Sequence, residues 1–77
     1  MHADFKTALA LWKPLAEKGH AKAQSAYGSM FCFGDGMEPD FHECAYWIRK
    51  ARDQGEDVSK IWNDYSLWKY EKNSLVP

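Results

Sequence analysis

The sequence predicts an all-α protein of stacked αα-hairpins, and three observations carry that prediction. Apolar residues recur at helical spacing along most of the chain. Between two such stretches Gly34, Gly36 and Pro39 interrupt the pattern, and Asp40 reopens it. A shift of 36 residues then lays Asp4-Phe5 on Asp40-Phe41 and Gly19 on Gly55, with Lys13/Arg49 and Glu17/Asp53 agreeing in charge. A period between about 20 and 50 residues marks stacked repeats.

The first helix is expected over about Phe5–Lys18, with Asp4 as N-cap and Gly19 as its stop. Phe5, Ala8, Leu11, Trp12 and Leu15 share one face, and Leu9 and Ala10 widen it. Pro14 removes one backbone donor, which predicts a slight kink and no break. The second helix is expected over Ala21–Phe33, with Ala23, Tyr27, Met30 and Phe31 inward and Gly28 letting a neighbouring helix come close.

At the turn, Gly34 and Gly36 free the backbone to reverse, and Pro39 disfavours helical geometry at Glu38. Asp40 followed by Glu43 allows a capping box. The third helix is expected over Phe41–Gln54, its inner face lined by Cys44, Trp47, Ile48 and Ala51, with Phe41 near the turn. A fourth, over Val58–Lys72, places Val58, Ile61, Trp62, Tyr65 and Trp68 on one stripe and Lys60, Asp64, Lys69, Glu71 and Lys72 outside, as suits a terminal cap. The tail Asn73–Pro77 is expected to fray.

Composition bounds what such a chain can do. Seventy-seven residues make one small domain, and chains of this size bury only about 60% of their unfolded surface. Four Trp, four Tyr and four Phe offset the shortness, because each ring buries a large area. A net charge of −1 with both signs interspersed lacks the basic stripe of a nucleic-acid binder. No apolar run reaches the roughly 18 residues of a membrane span, and Ala8–Trp12 is too short for a secretory h-region. The expectation is therefore a soluble chain with no signal peptide or transmembrane segment in these residues, its compartment left open between cytoplasm and periplasm.

Ala23-Gln24, Tyr27-Gly28, Phe31, Gly34-x-Gly36-Met37, Asp40, Trp47, Lys50-Ala51 and Gln54-Gly55 together resemble one complete Sel-one-like repeat (SLR), a relative of the tetratricopeptide repeats. Residues 8–21 are similar to the second helix of a preceding repeat, and the pattern is lost after Gly55. The resemblance implies a short right-handed α-solenoid of about four helices. It comprises a half repeat at 4–19, a full repeat at 21–55 and a capping helix at 58–72. It also implies a groove lined by the first helix of each hairpin, and so a protein-binding surface at Lys22, Ser25, Ser29, Cys32 and Phe33. Phe33 is either an exposed anchor there or tucked under the turn against Phe41.

No other constellation competes. His2, His20 and His42 lack the i, i+4 or CxxC spacing of a metal site and read as surface histidines. Gly34-Asp35-Gly36 follows a helix and lacks the Gly-Lys-Ser/Thr of a phosphate loop, so it reads as a turn. No nucleophile has a base in reach by spacing, so neither an enzyme nor a cofactor is expected. Cys32 and Cys44 read as two reduced thiols, with a disulfide the less favoured alternative. By the resemblance, Cys44 points inward and Cys32 toward the groove.

The family includes scaffolds, regulators of secretion or signalling, and immunity proteins that block bacterial toxins. The expected function is therefore a protein–protein interaction module. The alternative is a structural piece of a longer or self-associating solenoid, joined through the apolar edge Phe5, Leu9 and Trp12.

Overall fold

The computed structural model describes residues 5–34 and 38–70, with only the backbone of Phe5. Asp4, Asp35–Met37 and the tail beyond Tyr70 lie outside the described residues, and with them the Asp4 cap and the fraying of the tail. Among the described residues the chain is all helical: α1 (Phe5–Glu17), α2 (Ala21–Phe33), α3 (Phe41–Asp53), α4 (Ser59–Asp64) and a 3₁₀ segment, Leu67–Tyr70. None of these helices is long and apolar enough to cross a membrane.

Each of the first three helices ends or begins where its sequence dictates. α1 runs through Pro14 and closes on Gly19, whose φ of 97° only glycine adopts without strain. His20 N–H donates to the Leu15 carbonyl (3.2 Å) and Gly19 N–H to that of Ala16 (3.0 Å). That is the paired closure of a Schellman motif. α3 ends in the same way. Gly55 has φ 97°, Glu56 N–H donates to Ala51 (3.1 Å) and Gly55 N–H to Arg52 (2.9 Å).

The α2–α3 hairpin holds the centre. Gly34 ends α2 in the left-handed region, φ 63°. Asp40 caps α3, its carboxylate accepting from Glu43 N–H at 3.2 Å. The reciprocal half of the capping box does not form. Asp40 N–H is already bonded to the Phe31 carbonyl (2.9 Å), and the Glu43 carboxylate accepts from Trp47 Nε1 (3.0 Å).

α2 buries two adjacent stripes, Ala23-Tyr27-Phe31 and Gln24-Gly28-Cys32. At Gly28 the helices nearly touch, since an added Cβ would stand 2.9 Å from Trp47 Cβ and 3.1 Å from Ile48 N. Tyr27 meets Trp47 and Phe31 edge-on, at centroid distances of 5.2 and 5.1 Å.

The fourth helix differs from expectation. α4 stops at Asp64, and Ser66 takes a left-handed φ of 52° before the 3₁₀ segment begins. One residue there costs about 1–2 kcal/mol. The break rotates Leu67 into full burial and leaves Trp68 46% exposed, so Trp68 drops out of the expected stripe while Val58, Ile61, Trp62 and Tyr65 stay against the core. Burying a leucine is worth about 1.5–3 kcal/mol, enough to offset the strained residue. Phe41 then packs against Tyr65 and Tyr70, at 6.0 and 5.4 Å. Arg52 lies over the Trp62 ring at 4.6 Å, joining the end of α3 to α4.

Candidate functional site

A concavity of about 370 Å³ lies between α2 and the chain that follows α3. Ser25, Ser29 and Phe33 form its α2 wall because they recur every four residues on the side of the helix left uncovered by α3. Val58, Ile61 and Tyr65 form the apolar part of the opposite wall, with Asp57, Lys60 and Asp64 around them.

Of the five residues expected to line a groove, the structure brings three together. Ser29 Oγ donates to the Ser25 carbonyl at 2.6 Å, so its hydroxyl serves its own helix and keeps only acceptor capacity for a ligand. Phe33 is 61% exposed, with its ring against Tyr65 at 6.2 Å. The exposed alternative holds, and the ring does not tuck against Phe41. Lys22 stands apart from the concavity, its Nζ 3.2 Å from the Glu56 carboxylate at an exposed position. Such a surface pair contributes about 0–1 kcal/mol.

Cys32 is a correction. It is bonded to Cys44 with the two Cα atoms 5.4 Å apart, and both residues are buried. Neither a groove-lining thiol nor a reduced pair is present. The reason is helical spacing, because Cys32 is four residues beyond Gly28 and shares the face pressed against α3. In an antiparallel hairpin the last turn of α2 lies opposite the first turn of α3, where Cys44 sits.

Asp57, Lys60 and Asp64 were not anticipated in any binding role. Asp57 accepts from both the backbone and the hydroxyl of Ser59 (3.2 and 2.7 Å). The hydroxyl bond, then the backbone bond, hold its carboxyl below the usual range. Lys60 pairs with Asp64 at 3.1 Å. Lys60 and Asp64 belong to the charged flank of the fourth helix, read in the sequence as its outer side, whereas Asp57 precedes that helix and carried no such signal. Of the expected apolar edge, Leu9 packs against the core, Trp12 is exposed together with the large apolar Leu11 and Leu15, and the side chain of Phe5 lies outside the described residues.

The concavity offers an apolar floor, small hydroxyl side chains and a carboxylate held ionised, which suits binding. Among the described residues no three His, Cys, Asp or Glu side chains converge to hold a metal. Burial, and then the charges of Glu43 and Glu17, push the Tyr27 phenol above its ordinary pKa. That group belongs to the α2–α3 core. Compared with family models, with curated proteins and with solved structures, the chain matches none.

Proposed function

We propose that this chain is a small, non-catalytic Sel-one-like-repeat module that binds a segment of a partner protein in the concavity between α2 and α4. The observation that carries the reading is the convergence of Ser25, Ser29 and Phe33 with Val58, Ile61 and Tyr65 around one open space of about 370 Å³. A bound segment would seat an apolar side chain against Phe33 and Ile61. A basic neighbour of that side chain would meet Asp57, where an ionised carboxylate favours a cation.

On this reading the hairpins stack as a short right-handed α-solenoid. Its support is the pair of matching helix ends, Gly19 and Gly55, both at φ 97° and 36 residues apart. The Cys32–Cys44 bond favours an oxidising compartment such as the periplasm over the cytoplasm.

The test is site-specific photocrosslinking from position 33 in extracts of the native host, beside a Ser29→Arg variant of equal helicity. The expected result is one crosslinked protein that Ser29→Arg abolishes. Crosslinking that Ser29→Arg leaves intact, or none at all, overturns the reading. The alternative of a structural piece of a larger solenoid is favoured by one observation, the exposed Leu11, Trp12 and Leu15 on α1.

A further inference from the structure

The described chain ends beside the concavity. Tyr70 packs on Phe41 with ring centroids 5.4 Å apart, Phe41 lies 6.0 Å from Tyr65, and Tyr65 lies 6.2 Å from Phe33. Tyr65 and Phe33 are two of the residues that wall the concavity. Beyond Tyr70 come Glu71-Lys72-Asn73-Ser74-Leu75-Val76-Pro77. Seven residues span up to about 23 Å when extended, and the α2 wall from Ser25 to Phe33 is about 12 Å long by the helical rise. A tail that leaves Tyr70 therefore reaches into the concavity.

The tail's composition matches what the walls offer. Leu75 and Val76 are branched apolar side chains, and Pro77 has no N–H to leave without a partner. The space of about 370 Å³ is floored by Val58 and Ile61 and edged by the exposed ring of Phe33. A cavity of about 150 Å³ already takes a benzene-sized group. Ser25 and Ser29 are small, which lets a second backbone lie against α2. The walls carry two carboxylates, Asp57 and Asp64, against one cation, Lys60, which pairs with Asp64 at 3.1 Å. Asp57 accepts from Ser59, and no described cation pairs with it. Lys72 is the tail's one cation, whereas Glu71 follows Tyr70 directly, at the tail's root.

We propose that residues 71–77 fold back into the concavity of their own chain, with Leu75 and Val76 against Phe33 and Ile61 and Lys72 beside the carboxylates of the rim. There they compete with a partner segment. The competition, and not the seat itself, rests on the reading of the concavity as a partner's site. Ordering the tail costs conformational entropy that offsets much of the burial, so the seat is displaceable. A tethered segment holds it nonetheless, because its effective concentration is high.

The test irradiates the full chain alone, at low concentration, with a benzophenone side chain at position 33 that keeps an aromatic ring there. The expected product, found by mass spectrometry of the digest, links position 33 to residues 71–77. In an equal mixture of isotopically light and heavy chains, the link joins residues of one label only, which marks it as made within one chain. Leu75→Asp/Val76→Asp should lower its yield at least about tenfold, as two apolar side chains lose their burial. The same variant should raise capture of a partner from host extract. Light–heavy links overturn the proposal, because a second copy then supplies the tail. So does a link from position 33 to other segments only, such as α1, or no link at all. A tail link, or a partner capture, that Leu75→Asp/Val76→Asp leaves unchanged overturns it as well. A tail link within one chain with no partner captured by either protein upholds the seat and sinks the partner reading. Partner capture without a tail link does the reverse.

Discussion

The side chain of Gln54 donates to the side-chain oxygen of Gln24 across 2.9 Å, and the same amide reaches the Gly19 carbonyl at 2.7 Å. Gln24 in turn donates to the Ala16 carbonyl at 3.1 Å. Two glutamines thus tie the end of α3 to the end of α1 through a buried residue of α2, giving the Ala16 carbonyl a second donor beside Gly19 N–H and the Gly19 carbonyl a side-chain donor. Gln24 is the buried member, so removing Gln54 leaves its side-chain oxygen without that donor, whereas Gln54 is exposed. Gln24→Ala should cost about 1–3 kcal/mol. A Gln24→Ala/Gln54→Ala cycle in urea should show non-additivity above about 0.5 kcal/mol. Simple additivity would mean the contact adds nothing to stability.

Gly28 tests the closeness of the hairpin. Alanine would gain about 1 kcal/mol in helix propensity. Its Cβ, however, would meet Trp47 Cβ at 2.9 Å, Ile48 N at 3.1 Å and the Cys44 carbonyl at 3.2 Å, all parts of α3 that move only with the helix. Overpacking costs about 1–3 kcal/mol, so Gly28→Ala should lower the urea midpoint, and a rise would refute the contact.

The Cys32–Cys44 bond spans 12 residues of sequence. Closing a loop near that length removes about 3 kcal/mol of unfolded-state entropy. Protein purified without reductant should show no free thiol after denaturation. Cys32→Ala/Cys44→Ala should melt well below the parent, and equal melting would show that the bond adds no stability.

Ser66 offers the opposite kind of change. Glycine carries no Cβ penalty at φ 52°, so Ser66→Gly should raise stability by up to about 1 kcal/mol. Leu67→Ala, beside it in the core, should cost about 2–5 kcal/mol. Thermal melts of the two variants in opposite directions would confirm that the strained residue serves to bury its neighbour.

Alkaline titration reports on Tyr27. Its folded pKa is raised, so the unfolded chain loses the proton first as pH climbs past about 10. The unfolded state then binds fewer protons, and stability falls with rising pH from there on. Denaturation midpoints measured between pH 8 and 11 should decline less steeply for Tyr27→Phe than for the parent.

The sequence alone determined the helical hairpins, because the determinants are local. Gly19, Gly34 and Gly55 end helices where only glycine is unstrained, Asp40 starts one with its side chain, and the bounds of α2 follow from the spacing of Ala23, Tyr27 and Phe31. Gly28 as a point of close approach was legible for the same reason. Tertiary structure decided how wide a face of α2 meets α3, taking in the Gly28–Cys32 stripe beside Tyr27, and so buried Cys32 with Cys44 in place of opening it to a groove. It also decided the break at Ser66, where the gain from burying Leu67 exceeds the local preference for a continuous helix. The concavity belongs to the same class. Ser25 and Asp57 have no local relation in the chain, and only the packing of α2, α3 and α4 sets them around one space.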